Sequence, residues 1–284
     1  SIGKLGDSLV AASETCSVDL IGAEYVREVE PGELLIISND GIVEDRYANM
    51  NRRTMCAMEY VYFARPDSNI DEVNIHMARK RMGIQLAKEM GSIAADVVTG
   101  VPDSSISAAI GFAEASGIPY EMGLIKNRYI GRTFIQPTQE LRERGVKMKL
   151  SPVVQVVRGK KVIMVDDSIV RGTTSRRIVK MLKEAGAKEV HVAISSPPIS
   201  NPCFYGIDIS SDSELIATGR TIDEIRDAIG ADSLTFLTPE GLVEAVGRPF
   251  NDEDGGLCMA CFTGKYPTEI YPDTVLPHEK ELLR

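Results

Sequence analysis

The 284-residue chain contains no apolar run long enough to span a bilayer, and no positively charged, then apolar, leader opens it. A cytoplasmic protein with no membrane partner is the expectation. It also lacks a basic excess. With 32 Lys and Arg against 41 Asp and Glu, net charge is −9, which excludes a general nucleic-acid binder because phosphate-backbone binding needs a basic surface. Histidine is scarce: His76, His191 and His278 fall in a helical stretch, a strand and the tail, with no convergent acid or serine motif nearby. None is therefore assigned a catalytic role. The five cysteines, Cys16, Cys56, Cys203, Cys258 and Cys261, are an odd set with one close pair, which argues against a disulfide framework. The pair, CMAC (258–261), has the spacing of half a zinc or iron–sulfur site, and spacing alone also allows buried thiols.

What is present is an alternation of strand and helix. DVVTGVP (96–102) is β-branched and breaks at Gly100 and Pro102; SSISAAIGFAEASG (104–117) has helical periodicity and stops at Gly117. KKVIMVDD is an apolar strand of the kind buried on both faces. TTSRRIVKMLKEAG places Ile178, Met181, Leu182 and Ala185 on one helical face, with Gly186 in the C-terminal capping region. EVHVAISSPP, TIDEIRDAIG with a Thr221/Glu224 capping box, SLTFLT and PEGLVEAVG continue the rhythm. Such alternation predicts an α/β fold, a mainly parallel sheet flanked by helices, with ligands at the carboxyl ends of the strands.

VIMVDDSIVRGTT (162–174) marks that end. A glycine-containing turn opening a helix offers unpaired backbone N–H groups and the positive end of the helix dipole, and Thr173 and Thr174 add hydroxyl donors. The loop suits a phosphate. Two adjacent carboxylates, Asp166 and Asp167, would repel that phosphate unless they serve sugar hydroxyls or a divalent cation. A phosphorylated ribose carrying pyrophosphate satisfies every part, whereas an Asp-Asp turn followed by a Thr helix cap explains only some of it.

The stretch resembles the phosphoribosylpyrophosphate (PRPP) signature of type I phosphoribosyltransferases. KNRYIGRTFIQPTQELRERGVKMKL (126–150), VPDSS (101–105) and ELIATGRTIDEI (214–225) narrow the resemblance to the glutamine PRPP amidotransferases, or amidophosphoribosyltransferases. Residues 1–50 resemble the C-terminal remnant of an N-terminal-nucleophile glutaminase domain, with REVEPGELLIISNDGI (27–42) as its last strands. Residues 51–284 resemble the phosphoribosyltransferase domain with a C-terminal iron–sulfur segment. The resemblance implies a glycosyltransferase of purine biosynthesis that forms 5-phosphoribosylamine and pyrophosphate from PRPP and ammonia, the ammonia coming from glutamine in the complete enzyme. Ser1 does not match the family's nucleophilic cysteine, so an ammonia-dependent activity is expected of this chain alone. A nucleobase phosphoribosyltransferase and a non-catalytic PRPP-binding regulator are the alternatives.

The implied roles follow residue by residue. Asp166 and Asp167 hold the ribose hydroxyls and Mg²⁺, and Ser104 is a Mg²⁺ ligand on the pyrophosphate side. Ser168, Ile169, Val170, Arg171, Gly172, Thr173 and Thr174 bind the 5-phosphate. Lys126, Arg128 and Tyr129, with Arg132, belong to a loop that closes over PRPP, where closure excludes water. Cys56, Cys203, Cys258 and Cys261 stand where the Bacillus-like branch holds a [4Fe–4S] cluster, with zinc as the runner-up; Cys16 stays a free thiol. Purine nucleotides are implied as feedback inhibitors, and a homo-oligomer, often a tetramer, as the assembly.

Overall fold

A computed structural model describes residues 1–38, 41–48, 53–127, 150–209, 214–249 and 255–270. The centre is a four-stranded parallel sheet in the order Ser233–Phe236, Glu189–Ile194, Lys161–Asp166, Val97–Gly100. Its register places Val165 beside Gly100 and Asp166 beside Ile194. The central strand alternates between two cores, because successive side chains point to opposite faces. Ile163 and Val165 pack with helices Ile75–Met90, Ile106–Ser116 and Pro239–Val246, while Val162 and Met164 pack with Thr173–Glu184 and Ile222–Ile229. All four are fully buried, so the run reads as continuously apolar in sequence although it serves both faces.

Helix ends follow the expected chemistry. Thr221 accepts from the Glu224 amide and Glu224 reaches back to the Thr221 amide, so the capping box forms. Gly117 closes its helix in the left-handed conformation, as such C-termini favour. Two helix starts have no serine or threonine side-chain cap. The residue before helix Ile106–Ser116 is Ser105, not Ser104, and before helix Thr173–Glu184 it is Gly172, not a threonine. The Ser104 and Ser105 hydroxyls donate to Asp167 and Asp166 instead, and Gly172 has no side chain with which to cap. Helices Ile75–Met90 and Ile106–Ser116 cross at very close range. A Cβ on Gly83 would lie 1.8 Å from the Ala108 carbonyl oxygen, so only glycine permits the approach.

Ile2–Leu5, Ser8–Ala11 and Glu24–Arg27 form a three-stranded antiparallel sheet, and Glu33–Ser38 pairs antiparallel with Gly41–Arg46. They are tied to the following segment by Glu14, which accepts from the Arg65 amide at 2.8 Å and the Ser68 hydroxyl at 2.7 Å, and by Thr15, which accepts from the Asn69 amide at 2.8 Å. Near the other end, Gly255–Cys258 pairs in parallel with Arg53–Cys56 and sets Cys258 opposite Cys56. Among the described residues no helix is long and apolar enough to cross a membrane.

Candidate active site and cysteine cavity

A cavity of about 560 Å³ opens at the carboxyl end of the central strands. Ser104 and every residue from Asp166 to Thr174 line it, so one connection and one contiguous segment build most of its wall. Strand Lys161–Asp166 ends on the first acid, and Asp167 begins the turn. Both acids are buried, at 6% and 7% exposure, with no cation within ion-pair distance among the described residues. Their partners are hydroxyls and an amide. Ser104 donates to Asp167 Oδ1 at 2.5 Å, Ser105 to Asp166 Oδ1 at 2.9 Å, and Ser168 to Asp167 Oδ2 at 2.7 Å; the Asp167 amide donates to Asp166 Oδ1 at 3.0 Å. Burial, followed by the Asp167 charge, holds the Asp166 carboxyl well above the ordinary carboxylate range. An arriving cation would relieve that repulsion.

The loop beyond the acids differs from them in character. The amides of Ser168 to Thr174 make no hydrogen bond to the protein among the described residues, and the first turn of helix Thr173–Glu184 follows directly. Gly172 takes φ +73°, a left-handed conformation that costs glycine little. The arrangement is an anion cradle beside two acids, able to hold opposite ends of a ligand that carries both an anion and a cation-binding or hydroxyl-rich part.

Sequence reasoning did not single out the facing wall. Met58, Tyr62 and Phe63 line the cavity, as do Ile207, Asp208 and Ile209. Tyr62 and Phe63 stand edge to face, 5.3 Å apart, on a single-turn π-helix, Glu59–Phe63. The buried Arg79 pins that turn by donating to the carbonyls of Tyr60 and Ala64, each at 2.8 Å. Burial lowers its pKa, and the charge of Asp167 opposes that shift. The only signal available beforehand was the aromatic run EYVYF following Cys56. Lys126 forms an exposed ion pair with Asp103 at 2.6 Å. Arg128, Tyr129 and Arg132 lie outside the described residues, as does His278. His76 shares a hydrogen bond with Ser107, and His191 lies between Ser233 and Glu189, away from the cavity lining.

Cys56, Cys203, Cys258 and Cys261 line a second cavity, of about 790 Å³. The strand pairing brings Cys56 and Cys258 level, helix Ala260–Thr263 presents Cys261, and the Cys261 carbonyl accepts from the Ser200 and Asn201 amides at 3.0 Å, anchoring the run into Cys203. Burial pushes Cys56 up to about 11 and Cys261 up to about 12, with neighbouring thiols adding to both. Cys16 is buried in helix Thr15–Leu20 and does not line this cavity. Phe63 and Ile207 belong to both cavities, which therefore share a wall.

A parallel sheet with paired acids at one strand end and a glycine-containing loop opening the next helix is the type I phosphoribosyltransferase fold. Residues 69–200 match the phosphoribosyl transferase domain family. The chain is 66% identical over 281 residues to the amidophosphoribosyltransferase of Bacillus subtilis strain 168, covering 99% of this chain and 59% of that protein. It is 53% identical over 271 residues to the amidophosphoribosyltransferase of Staphylococcus aureus strain Mu50, covering 95% and 55%. The solved structure of glutamine PRPP amidotransferase from B. subtilis complexed with ADP and GMP superposes with a TM-score of 0.88 at 66% identity, over 98% of this chain and 61% of that one. Over nearly its whole length the chain is similar to the amidophosphoribosyltransferases, and it spans somewhat over half the length of the curated relatives it matches.

Proposed function

We propose that the chain carries the phosphoribosyl-transferring part of an amidophosphoribosyltransferase, acting on PRPP and ammonia in the first committed step of purine synthesis in the cytoplasm. The observation that carries this reading is the buried Asp166/Asp167 pair followed at once by a loop whose amides are free to take a phosphate. The C1–oxygen bond to pyrophosphate breaks, a C1–nitrogen bond forms with inversion, and ammonia gives up a proton. Ammonia is a neutral nucleophile, so the chain's task is to position the sugar and tolerate charge separation rather than to supply a strong base. The loop Ser168–Thr174 holds the 5-phosphate, and Asp166 and Asp167 orient the ribose hydroxyls. The same acids, with Ser104, are the residues that would hold Mg²⁺, directly or through water. Its chemistry there is to neutralise the leaving pyrophosphate. Lys126 would leave Asp103 and, with Arg128, Tyr129 and Arg132, cover the ligand.

The cysteine cavity is read as a [4Fe–4S] site on Cys56, Cys203, Cys258 and Cys261. Among the described residues no three or more Cys, His, Asp or Glu side chains converge as ligands of one ion. Four thiols around a roomy cavity favour a multi-iron cluster over a single zinc. When bound, the cluster would tie the C-terminal strand to the segment before the aromatic wall; no role in the transfer is assigned to it. Residues 1–50 are proposed to belong to a glutaminase domain and 51–284 to the transferase domain. Purine nucleotides are proposed to bind as inhibitors, a reading supported by the complex of the B. subtilis protein with ADP and GMP; their phosphates are proposed to take the same loop, and the assembly is proposed to be a homo-oligomer, by family a tetramer.

The test is Mg²⁺-dependent pyrophosphate release from PRPP by anaerobically purified chain, with ammonium and with glutamine in parallel. Release with ammonium is expected. Binding of PRPP without release under either condition would move the reading to a PRPP-sensing regulator.

A further inference from the structure

The PRPP reading leaves open what keeps the phosphate loop in its working shape. We propose that Glu214–Ile216 is a positioning segment for that loop, and that it governs the affinity of the 5-phosphate end of the ligand separately from the pyrophosphate end. The inference rests on the PRPP reading above.

An anion loop works only if its amides face the ligand while its carbonyls are held elsewhere. The Val170 carbonyl is held elsewhere by the Ile216 amide, which donates to it at 2.8 Å. The next residue, Arg171, is an exposed cation whose guanidinium is ion-paired to Glu214. An exposed pair of this kind adds little stability, but it fixes the direction of the side chain. At the residue after that, Gly172, the Ile216 side chain occupies the space a Cβ would need, its Cδ1 2.4 Å from that position. Three consecutive loop residues thus each meet 214–216. That segment is itself held from behind. Arg220 donates to the Ile216 carbonyl at 3.1 Å, and Ile216 is 6% exposed, within the core that contains Ile225 and Ile229.

The other end of the cavity has different support. Ser104 and Ser105 bond to Asp167 and Asp166, and the connection they occupy follows strand Val97–Gly100. Trimming Ile216 should therefore loosen one end of the site and spare the other.

The experiment measures, by calorimetry, the binding of ribose 5-phosphate and of magnesium pyrophosphate to wild type, Ile216→Val and Ile216→Ala. Ile216→Val removes only the methyl over Gly172 and keeps the backbone bond. Ribose 5-phosphate is expected to weaken by about threefold in Ile216→Val and about tenfold or more in Ile216→Ala, since small displacements of a binding group are costly. Pyrophosphate should stay within about twofold in both, and KM for PRPP should rise more than kcat falls. Equal weakening of both ligands, or unchanged ribose 5-phosphate binding in a folded variant, would overturn the proposal while leaving the PRPP reading intact. If Ile216→Ala fails to fold, the same two outcomes in Ile216→Val decide. A wild-type chain that binds neither ligand would overturn the PRPP reading itself, and this inference with it.

Discussion

The two cavities share a wall but are assembled in opposite ways. The acid–phosphate cavity takes Asp166 to Thr174 from one uninterrupted segment, whereas the cysteine cavity takes its four thiols from positions 56, 203, 258 and 261. A contiguous site inherits its geometry from a strand end and a helix start, so it survives as long as the sheet does. A dispersed site exists only after the strand Gly255–Cys258 has paired with Arg53–Cys56 and the Cys261 carbonyl has captured residues 200 and 201. The first should fail chemically without failing structurally, and the second the reverse.

Replacing both Asp166 and Asp167 by Asn tests the first half of that contrast. Turnover should fall by about a thousandfold or more, since both the charge and the ligand-orienting oxygens are lost. Circular dichroism should be unchanged. The melting temperature in the absence of ligand should rise, because burial and the Asp167 charge hold the Asp166 pKa up. The folded chain then binds more protons than the unfolded chain across the interval between the ordinary and the raised value. Stability therefore falls as pH rises through that interval, and the neutral amide removes the effect. A lower melting temperature would contradict the contrast.

Cys258→Ser probes the other half. Bound iron should drop, the visible absorbance should be lost, and stability should fall by several kcal/mol, of order what a structural metal centre contributes. Ribose 5-phosphate binding at low temperature should survive within about threefold, because the phosphate loop is supported by 214–216 and not by the thiols. Complete loss of binding in a folded variant would show that the shared wall of Phe63 and Ile207 couples the cavities more tightly than their separate construction suggests.

Gly83→Ala acts on neither cavity directly. It should destabilise by about 1–3 kcal/mol through overpacking of the two crossing helices. Its loss in thermal denaturation should leave the ratio of ribose 5-phosphate to pyrophosphate affinity unchanged. A changed ratio would place the helix crossing in control of the site.

The sheet and the turn from Asp166 to Thr174 were legible in sequence because each is local. An apolar run ending in two acids, then a glycine and two threonines, is a strand end, a tight turn and a helix start by backbone chemistry alone. The Thr221/Glu224 box was legible for the same reason. Small local choices were not. Ser105 precedes its helix without capping it, because the Ser105 hydroxyl is drawn 61 residues away to Asp166. Met58, Tyr62 and Phe63 carried no periodic signal, since a single π-turn held by a buried arginine from another helix repeats neither the strand nor the helix period.

By itself, the sequence determined a parallel α/β sheet, the end of that sheet at which the paired acids and the glycine–threonine loop stand, and the grounds for proposing a ligand with a phosphate and a diol. All three follow from interactions between residues close along the chain, whose geometry is set before any distant contact forms. Tertiary structure alone decided that four thiols surround one cavity, that an aromatic wall divides that cavity from the phosphate loop, and that Ile216 fills the space over Gly172. Those are meetings of segments from 44 to about 200 residues apart. Only burial of the two cores on either face of the sheet supplies the free energy to hold them together.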